Sequence, residues 1–406
     1  MIRAPQLLSN VRVLSVEQYG AGPFGTQLLS GMGAEIIKIE NATDGGDVGR
    51  AIGPHFGKDL PETTTSYFYQ SLNLNKKSLT LDMGRPEGRA LFAKLAADAD
   101  AVVTNLRGDV AAKLGLSYAD LQQANPKIVC AHLSGYGRTG ARAKWPGYDY
   151  LMQAEAGYFS LTGEEESAPS RMGLSLVDYM AGAVLALGLT SGLLRARDTG
   201  IGMDVDLSLY DLAVYNLNYV AAWYLNTGKV TTRINRSAHP SLTPCQTYRT
   251  GDGWIYLMCN KEKFWPLLCE LVGAPELGQD PRFATFKDRF RERPEITRLM
   301  DELLSKKTTG EWMEIFGGKI PASPILDVGQ ALENPFLAER GSIGEVETPA
   351  GGNLRFMASP ILASGPDIAA TEPKLAPVLG QDTDEILGRI GLSAEDIDRL
   401  RQEGII

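Results

Sequence analysis

The sequence predicts an α/β protein whose first half forms a mostly parallel sheet with helices on both faces. Short apolar strand segments alternate with helical segments over residues 11–140, at a spacing typical of right-handed βαβ units. The chain has 406 residues, enough for two domains that each bury a core. Hydrophobic residues make up 44% and charged residues 22% of it, a balance typical of folded globular proteins.

The elements of the first half follow in a regular order. Runs of apolar residues predict strands, and apolar positions three and four residues apart predict helices. One helix is expected from Pro23 onward, and residues 85–99 predict a second, with Leu91, Phe92 and Leu95 on one face. The predicted strands are residues 11–17, 34–40, 78–83, 101–105 and 127–134.

The later elements indicate a second, smaller domain. The apolar stretch 180–194 is too short to span a bilayer and predicts a buried helix. Residues 203–212 alternate as in a strand, and an aromatic-rich helix is expected over 212–225. Beyond this point a hairpin that turns at residues 251–253 and the helices 260–272 and 293–307 are predicted to form an α+β domain. The tail, with a helix capped at Ser393, is expected to return to the first domain.

Charge and composition exclude several classes of function. A formal charge of -9 repels a long polyanion, so we expect no nucleic acid partner. The four cysteines contain no CxxC pair, and the three histidines do not have ligand spacing, so no metal site is expected. The first residues lack the apolar core of a signal peptide, and no stretch predicts a membrane span. We therefore expect a cytoplasmic protein.

A glycine pattern follows the first predicted strand. Residues 20–25, GAGPFG, match the dinucleotide-binding pattern, and Glu40 ends the next strand where a ribose-binding acid would stand. An NAD-dependent oxidoreductase is therefore one alternative. Residues 17–19 separate the strand from the first glycine, however, and no later segment supplies a hydride-transfer histidine. Gly22 and Pro23 are also explained by a tight turn with proline in the first helical turn.

Several segments between Val11 and Phe283 are weak motifs individually, but their order along the chain makes the whole set specific. They are VRVLSVEQYGAGPFGTQLLSGMGAEIIKIE, SYFYQSLNLNKKSLTLDM, ADAVVTNLRGDVAAKLGL, NPKIVCAHLSGYGRTG, PGYDYLMQAEAGYFSLTG, RMGLSLVDYMAG and PELGQDPRF. Together with APVLGQDTDEIL near the end of the chain, they resemble the class III CoA-transferases, the family of formyl-CoA:oxalate and carnitine CoA-transferases. The 2-methylacyl-CoA racemases are more distant relatives.

The resemblance implies that Asp178, in GLSLVDYMAG, is the nucleophile. Its carboxylate would attack an acyl-CoA thioester to give a mixed anhydride and a free CoA thiolate. The thiolate would then attack the anhydride, release the first acid and leave an aspartyl-CoA thioester. An acceptor acid would then go through the same two steps in reverse order. Without the resemblance, Asp178 precedes an apolar helix and reads as its N-cap. Both interpretations agree, because the positive end of a helix stabilises an ionised carboxylate.

The resemblance also implies which residues contact the substrates. The acyl pocket would be shaped by Tyr148 and Asp149. CoA, the cosubstrate, would be held by basic side chains at its phosphates and by asparagines at its amides or adenine. The CoA-binding candidates are Tyr19, Ala21, Asn41, Asn73, Asn75, Lys76, Asn105 and Arg107. Many family members carry Arg at the position of Asn41, so one contact is expected to be lost or replaced.

Two alternatives within the resemblance remain open. The racemase branch pairs its aspartate with a His-Asp dyad, where this chain has Tyr148 and Asp149. Tyrosine, with a pKa near 10, is a poor base at neutral pH, so a transferase is favoured over a racemase or epimerase. A non-catalytic partner subunit is the other alternative, against which the presence of Asp178 argues.

The resemblance finally implies an architecture and a substrate class. Members form an interlocked, ring-like homodimer with active sites between large and small domains of different chains. Residues 1–225 plus 330–406 would form a large Rossmann-like, CoA-binding domain, and residues 226–329 a small α+β domain. The substrates would be an acyl-CoA and a small carboxylic acid. A dicarboxylate or hydroxy acid, with succinyl-CoA as donor, is what the family commonly uses.

Overall fold

The computed structural model describes residues 1–57, 65–349 and 351–406 and divides into two compact units. The large unit comprises Met1–Ala156, Gly173–Asn218 and Pro335–Ile406, and the small unit comprises Gly157–Met172 and Tyr219–Asn334. The strands are β1 (Ile2–Arg3), β2 (Arg12–Val16), β3 (Glu35–Glu40), β4 (Lys77–Thr80), β5 (Ala101–Thr104), β6 (Val129–Ser134), β7 (Met203–Ser208), β8 (Cys245–Arg249), β9 (Trp254–Met258), β10 (Ala322–Pro324), β11 (Ile343–Glu347), β12 (Asn353–Met357) and β13 (Leu362–Ala363). The α-helices are α1 (Ala21–Ser30), α2 (Tyr67–Asn73), α3 (Pro86–Ala96), α4 (Val110–Lys113), α5 (Tyr118–Leu121), α6 (Asp149–Glu155), α7 (Leu176–Thr199), α8 (Leu209–Tyr215), α9 (Asn218–Thr227), α10 (Phe264–Leu271), α11 (Phe286–Arg291), α12 (Arg293–Leu304), α13 (Thr309–Phe316), α14 (Val328–Leu332), α15 (Pro335–Glu339), α16 (Thr383–Arg389) and α17 (Ala394–Gln402).

A six-stranded parallel sheet forms the centre of the large unit. Its strand order is β4-β3-β2-β5-β6-β7, and each neighbouring pair is parallel. Every residue of β5 and β6 is buried, as expected for strands covered on both faces. The prediction of a mostly parallel sheet is confirmed.

The predicted elements between residues 203 and 225 differ from the observed ones. The strand expected over 203–212 ends at Ser208, because the Ser208 hydroxyl accepts a hydrogen bond from the Asp211 N–H at 3.0 Å and caps α8. The aromatic-rich helix expected over 212–225 is interrupted between α8 and α9, where Asn218 has a left-handed φ of 44°. In both places local capping or a turn overrides the side-chain periodicity.

The long helix α7 packs against α1 through glycines. An ideal Cβ on Gly25 would lie 2.7 Å from the Gly182 carbonyl oxygen, so these two backbones touch without side chains between them. Within the described part of the chain, α7 alone is long and apolar enough to span a membrane by length and composition. One face of it is buried in the large unit, including Leu185 and Leu189, as in the core helix of an α/β protein.

The last part of the chain completes the large unit. Ile386 and Leu400 of α16 and α17 are buried in the same apolar cluster as Leu14 and Leu79 of the sheet. The Asp82 N–H, beyond β4, donates a hydrogen bond to the Ile405 carbonyl at 2.8 Å. Residues far apart in sequence therefore share one core.

The small unit has a core of its own. Strands β8, β9 and β10 form an antiparallel sheet in the order β10-β9-β8, and β8 and β9 are the predicted hairpin. Large side chains such as Trp265, Phe283 and Phe316 are buried among the helices of this unit.

Candidate functional site

A cavity of about 620 Å³ opens in the large unit where the parallel strands end. Its wall is built by segments that directly follow β2, β5 and β6, at the edge where α/β sheets bind ligands. The volume lies within the range that small-molecule sites usually have. The lining residues are Gln18, Tyr19, Gly20, Ala21, Val48, Asn105, Leu106, Arg107, Val110, Leu133, Ser134, Gly135, Pro146, Gly147, Tyr148, Asp178 and Leu209.

Asp178 lines this cavity from the first turn of α7. The helix begins at Leu176 after Ser175, so Asp178 is its third residue and the N-cap interpretation is wrong. Its side chain is largely buried, with 5% of the residue exposed. Burial, and next the negative charge of Asp149, raises the pKa of the Asp178 carboxyl to about 7. This carboxylate is therefore more basic than an ordinary surface aspartate.

Asp149 lies behind Asp178 and is itself buried. Its Oδ2 accepts a hydrogen bond from the backbone N–H of Asp178 at 3.0 Å. Its Oδ1 accepts one from Nε2 of Gln153 at 2.6 Å. Asp149 thus binds a free N–H of the first turn of α7, whereas its neighbour Tyr148 is 60% exposed and lines the cavity. Of the two residues predicted to shape the pocket, only Tyr148 lines it.

The turn between β2 and α1 lines the cavity next to this helix start. The amide of Asn105 holds Gln18 from both sides, accepting from its N–H at 2.9 Å and donating to its carbonyl at 2.6 Å. Tyr19 has a left-handed φ of 69°, and its N–H donates to Oδ1 of Asp47 at 2.9 Å. An ideal Cβ on Gly20 would lie 2.5 Å from Oδ2 of Asp178, so the absence of a side chain there makes room for the carboxylate.

The glycine pattern of residues 20–25 is accounted for by these contacts. Gly20 adjoins the Asp178 carboxylate, and an ideal Cβ on Gly22 would lie 2.9 Å from Cβ and Cγ of Asn105. Gly25 packs against Gly182 of α7. Each glycine therefore allows a close approach to a neighbouring element of this fold.

Tyr19, Ala21, Asn105 and Arg107 are the predicted CoA-binding residues that the structure brings to the cavity. The Arg107 side chain is half-exposed and forms an ion pair with Asp109, with 2.5 Å between Nε and Oδ1. A guanidinium at the edge of a cavity is a suitable donor to phosphate.

Three other predicted CoA-binding residues lie away from the cavity. The Lys76 ammonium is fully buried and donates to Oε1 of Glu17, the Pro23 carbonyl and Oδ1 of Asn73, each at 2.9–3.0 Å. Asn73 is buried and also donates to the Tyr69 carbonyl at 2.9 Å. The Asn75 side chain accepts the Lys374 N–H at 2.6 Å. These side chains bind protein groups, so they are not part of the site proposed below.

Asn41 lies in a second, smaller cavity. Its side chain accepts hydrogen bonds from the N–H and hydroxyl of Thr43 and so caps a short turn after β3. The cavity has a volume of about 260 Å³, and Glu17, Glu40 and Asp82 also line it. Asn41 therefore does not line the cavity that contains Asp178, although Gln18 and Leu106 line both cavities.

A buried network of charges under the Tyr19 turn was missed by sequence reasoning. Lys38 Nζ lies 2.8 Å from Oδ2 of Asp47, and the Arg50 guanidinium binds both oxygens of Glu40 at 2.7–2.9 Å. Lys38 and Glu40 belong to β3, and both are buried. The signal that could have revealed the network is the presence of Lys38 and Glu40 in the apolar run IIKIE, since buried charges require partners.

The cavity collects the positive ends of several helices. Ala21, Val110 and Leu209 are each the first residue of a helix, and Asp178 lies in the first turn of α7. Unpaired N–H groups at helix starts favour negative charge. The arrangement therefore places the buried Asp178 carboxyl beside helix starts that could bind an anionic ligand.

Comparison with known proteins identifies the family. The model of CoA-transferase family III matches residues 8–383. An acyl-CoA transferase of Fusarium pseudograminearum (strain CS3096) is 35% identical over 98% of this chain and 88% of its own. A succinate–glutarate CoA-transferase of Agrobacterium fabrum is 31% identical over 94% of this chain and 95% of its own. The crystal structure of a CAIB/BAIF family protein from Brucella suis, 29% identical, matches with a TM-score of 0.81 over 95% of this chain and 100% of that one. The protein is therefore an enzyme that moves CoA between an acyl-CoA thioester and a carboxylic acid, and it belongs to CoA-transferase family III.

Proposed function

We propose that this enzyme transfers CoA from an acyl-CoA to a small dicarboxylic acid through covalent intermediates on Asp178. The observation that carries the proposal is the buried Asp178 carboxylate, which lines a cavity of about 620 Å³ at the carboxyl edge of the sheet. The dicarboxylate class is supported by the similarity to a succinate–glutarate CoA-transferase.

The first half of the reaction frees the donor acid. Asp178 attacks the thioester carbonyl, the C–S bond breaks, and a mixed anhydride and a CoA thiolate form. The thiolate attacks the aspartyl carbonyl of the anhydride, which gives an aspartyl-CoA thioester and the first carboxylate.

The second half of the reaction loads the acceptor acid. The acceptor carboxylate attacks the thioester and forms a second anhydride with release of thiolate. Attack of the thiolate on the acceptor's carbonyl yields the new acyl-CoA and regenerates Asp178.

The raised pKa of Asp178 supports this role. A carboxylate with a pKa near 7 is a stronger nucleophile than one with an ordinary pKa and is still about half ionised at neutral pH. Helix starts at the cavity stabilise the negative charge that moves from the carboxylate to the thioester oxygen and then to the thiolate.

CoA binding is proposed for the residues that line the same cavity. Arg107 would bind a phosphate group, and the turn of Tyr19 and Ala21 together with Asn105 would contact the pantetheine arm. Tyr148, an exposed aromatic residue at the cavity, would border the acyl group.

The proposed assembly is an interlocked homodimer in the cytoplasm. Large apolar side chains that are exposed in the single chain support association with a second copy, among them Leu187 and Leu194 on α7. Light scattering of the purified protein at two concentrations tests the dimer, since a monomeric mass at both would contradict it.

Intact-protein mass spectrometry tests the covalent step. The native chain, Asp178→Ala and Asp198→Ala would be incubated with a panel of acyl-CoA donors and trapped with hydroxylamine or borohydride. Asp198 is an exposed residue of the same helix and serves as the matched control. We expect donor-dependent modification of the native chain and of Asp198→Ala, mapped to Asp178, and none of Asp178→Ala.

Two results would overturn the proposal. Equal labelling of Asp178→Ala would place the nucleophile elsewhere. No labelling of the native chain, together with exchange of the α-proton of a 2-methylacyl-CoA in deuterium oxide, would identify a racemase instead.

A further inference from the structure

Asp47 connects two segments of the cavity wall that are distant in sequence. Its Oδ1 accepts the N–H of Tyr19 at 2.9 Å and the N–H of Gly49 at 2.8 Å. Tyr19 lines the cavity from the β2–α1 turn, and Val48, which precedes Gly49, lines it from the segment after β3. One carboxylate oxygen therefore fixes the separation of two wall segments.

Asp47 is itself held by the buried charge network. Its residue is only 3% exposed, and Lys38 Nζ lies 2.8 Å from its Oδ2. Lys38 also donates to the Glu17 carbonyl at 3.0 Å, directly before the Gln18–Tyr19 turn. The Asp47 N–H donates to Oε1 of Glu40 at 3.0 Å. A buried ion pair adds little to the stability of a fold, because removing two charges from water costs free energy. The Lys38–Asp47 pair is therefore better explained by a role in positioning than by stability alone.

The turn that Asp47 holds is strained and touches the nucleophile. Tyr19 has a φ of 69°, a left-handed conformation that a bulky residue keeps only where its surroundings enforce it. The next residue is Gly20, whose Cα faces Oδ2 of Asp178. Release of the Tyr19 N–H would therefore let the backbone beside the nucleophile relax.

We propose that Asp47 is a positioning residue for the transfer at Asp178: it keeps the Tyr19–Gly20 turn and the Val48–Gly49 segment at the separation that the covalent step requires. The inference rests on the proposed function, because it assigns a role relative to a nucleophilic Asp178. Asp47 itself touches no reacting atom.

The experiment compares stability with chemistry in four variants: Asp47→Ala, Lys38→Met, the double variant Lys38→Met/Asp47→Ala, and the control Leu95→Ala. Leu95 is buried in α3, away from the cavity, and its truncation lowers stability without touching the turn. For each variant, three quantities are measured: the urea midpoint of unfolding, the single-turnover rate of Asp178 labelling at saturating acyl-CoA, and the affinity for CoA.

We expect Asp47→Ala to label roughly 100-fold more slowly than the native chain, the loss that a misplacement of about 1 Å produces. Lys38→Met should keep much of the rate, because Asp47 still accepts both N–H groups. The double variant removes both charges, so it should regain part of the stability that Asp47→Ala loses and yet remain slow. Leu95→Ala should be less stable than the native chain but label at the native rate.

Recovery of the labelling rate along with stability in the double variant would overturn the inference, as would a native rate in folded Asp47→Ala. If Asp47→Ala does not fold, the labelling rate of the double variant is compared with that of Leu95→Ala, and equal rates would overturn the inference. If the native chain is not labelled at all, the proposed function fails. CoA affinity then decides the positioning role, since the double variant should bind about tenfold more weakly than Leu95→Ala, a difference of about 1.4 kcal/mol. Equal affinities would overturn it.

Discussion

Oδ2 of Asp149 accepts the backbone N–H of Asp178 at 3.0 Å, so two buried aspartates share the start of one helix. The hydrogen bond fixes the first turn of α7 from outside, while the negative charge of Asp149 opposes ionisation of Asp178. The residue that positions Asp178 therefore also raises the pKa of its carboxyl.

The rate of Asp178 labelling should follow the ionisation of its carboxyl. Only the ionised form attacks, so the single-turnover rate should rise with pH and reach half its maximum near pH 7. In Asp149→Asn, the negative neighbour is gone and the midpoint should move to lower pH. It should stay above the ordinary value of 3.8, because burial is the larger cause of the shift. Glu155→Gln, at the other end of α6, is the control and should keep the native profile.

An unchanged midpoint in Asp149→Asn, measured as labelling rate between about pH 5 and pH 9, would show that the charge of Asp149 does not tune Asp178. A midpoint that moves upward would contradict the sign of the effect.

Replacement of Asp178 should stabilise the protein above neutral pH. The pKa of Asp178 is raised from 3.8 to about 7 in the folded state, so the unfolded chain ionises first and stability falls as pH rises between these values. Above pH 7 the full penalty applies, which for this shift is about 4 kcal/mol. Asp178→Asn does not ionise and should escape it. Urea unfolding at pH 5 and pH 8 should show a larger gain for this variant at pH 8, and an equal gain at both pH values would exclude the ionisation mechanism.

The contact between α1 and α7 should not tolerate a methyl group. Gly25→Ala would bring a Cβ to 2.7 Å from the Gly182 carbonyl oxygen, and relief of such overpacking typically costs about 1–3 kcal/mol. Gly388→Ala is the matched control at an exposed position of α16, where an added Cβ meets no atom within 4 Å. That change should instead stabilise the chain by about 0.5–1 kcal/mol. Unfolding midpoints of the two variants should therefore move in opposite directions.

Replacement of Lys76 should lower the stability of the protein, whereas replacement of Arg107 should weaken CoA binding. Lys76→Met leaves Glu17 without its nearest buried ion pair and should lower stability by about 3–5 kcal/mol. Arg107→Gln, at the half-exposed edge of the cavity, should leave the unfolding midpoint nearly unchanged and weaken CoA binding about tenfold. Calorimetric titration with CoA and urea unfolding of both variants test this difference. Weaker CoA binding by folded Lys76→Met, with native binding by Arg107→Gln, would restore the sequence-based assignment of Lys76.

The sheet was predictable because its signals are local. The apolar runs of β2, β3, β5 and β6 mark strands buried on both faces, and the helical segments between them require parallel crossovers. From that topology it follows that the residues after these strands meet at one edge, which is where Tyr19, Asn105 and Arg107 lie together.

The direction of individual side chains was not predictable. The sequence around a lysine next to a strand does not show whether its ammonium reaches solvent or binds a buried glutamate, as that of Lys76 does. Asp149 follows Tyr148 directly, yet the start of α6 turns one of them into the cavity and the other toward the backbone of α7. Both side-chain directions depend on contacts between residues that are distant in the chain. The periodicity of apolar residues carries no information about such contacts.

The hydrogen bond from Nη1 of Arg50 to the Pro377 carbonyl, 2.9 Å long, joins residues 327 positions apart. Arg50 is the partner of Glu40, and Glu40 binds the N–H of Asp47 beneath the cavity. At a synthesis rate of about 5–20 residues per second, Arg50 leaves the ribosome roughly 15 to 65 seconds before Pro377 does. In the later part of that interval, after Leu209 has emerged, the nascent chain contains Asp178 and the cavity segments but not the carbonyl that completes their support. Reactivity toward acyl-CoA should thus be among the last properties that the growing polypeptide acquires.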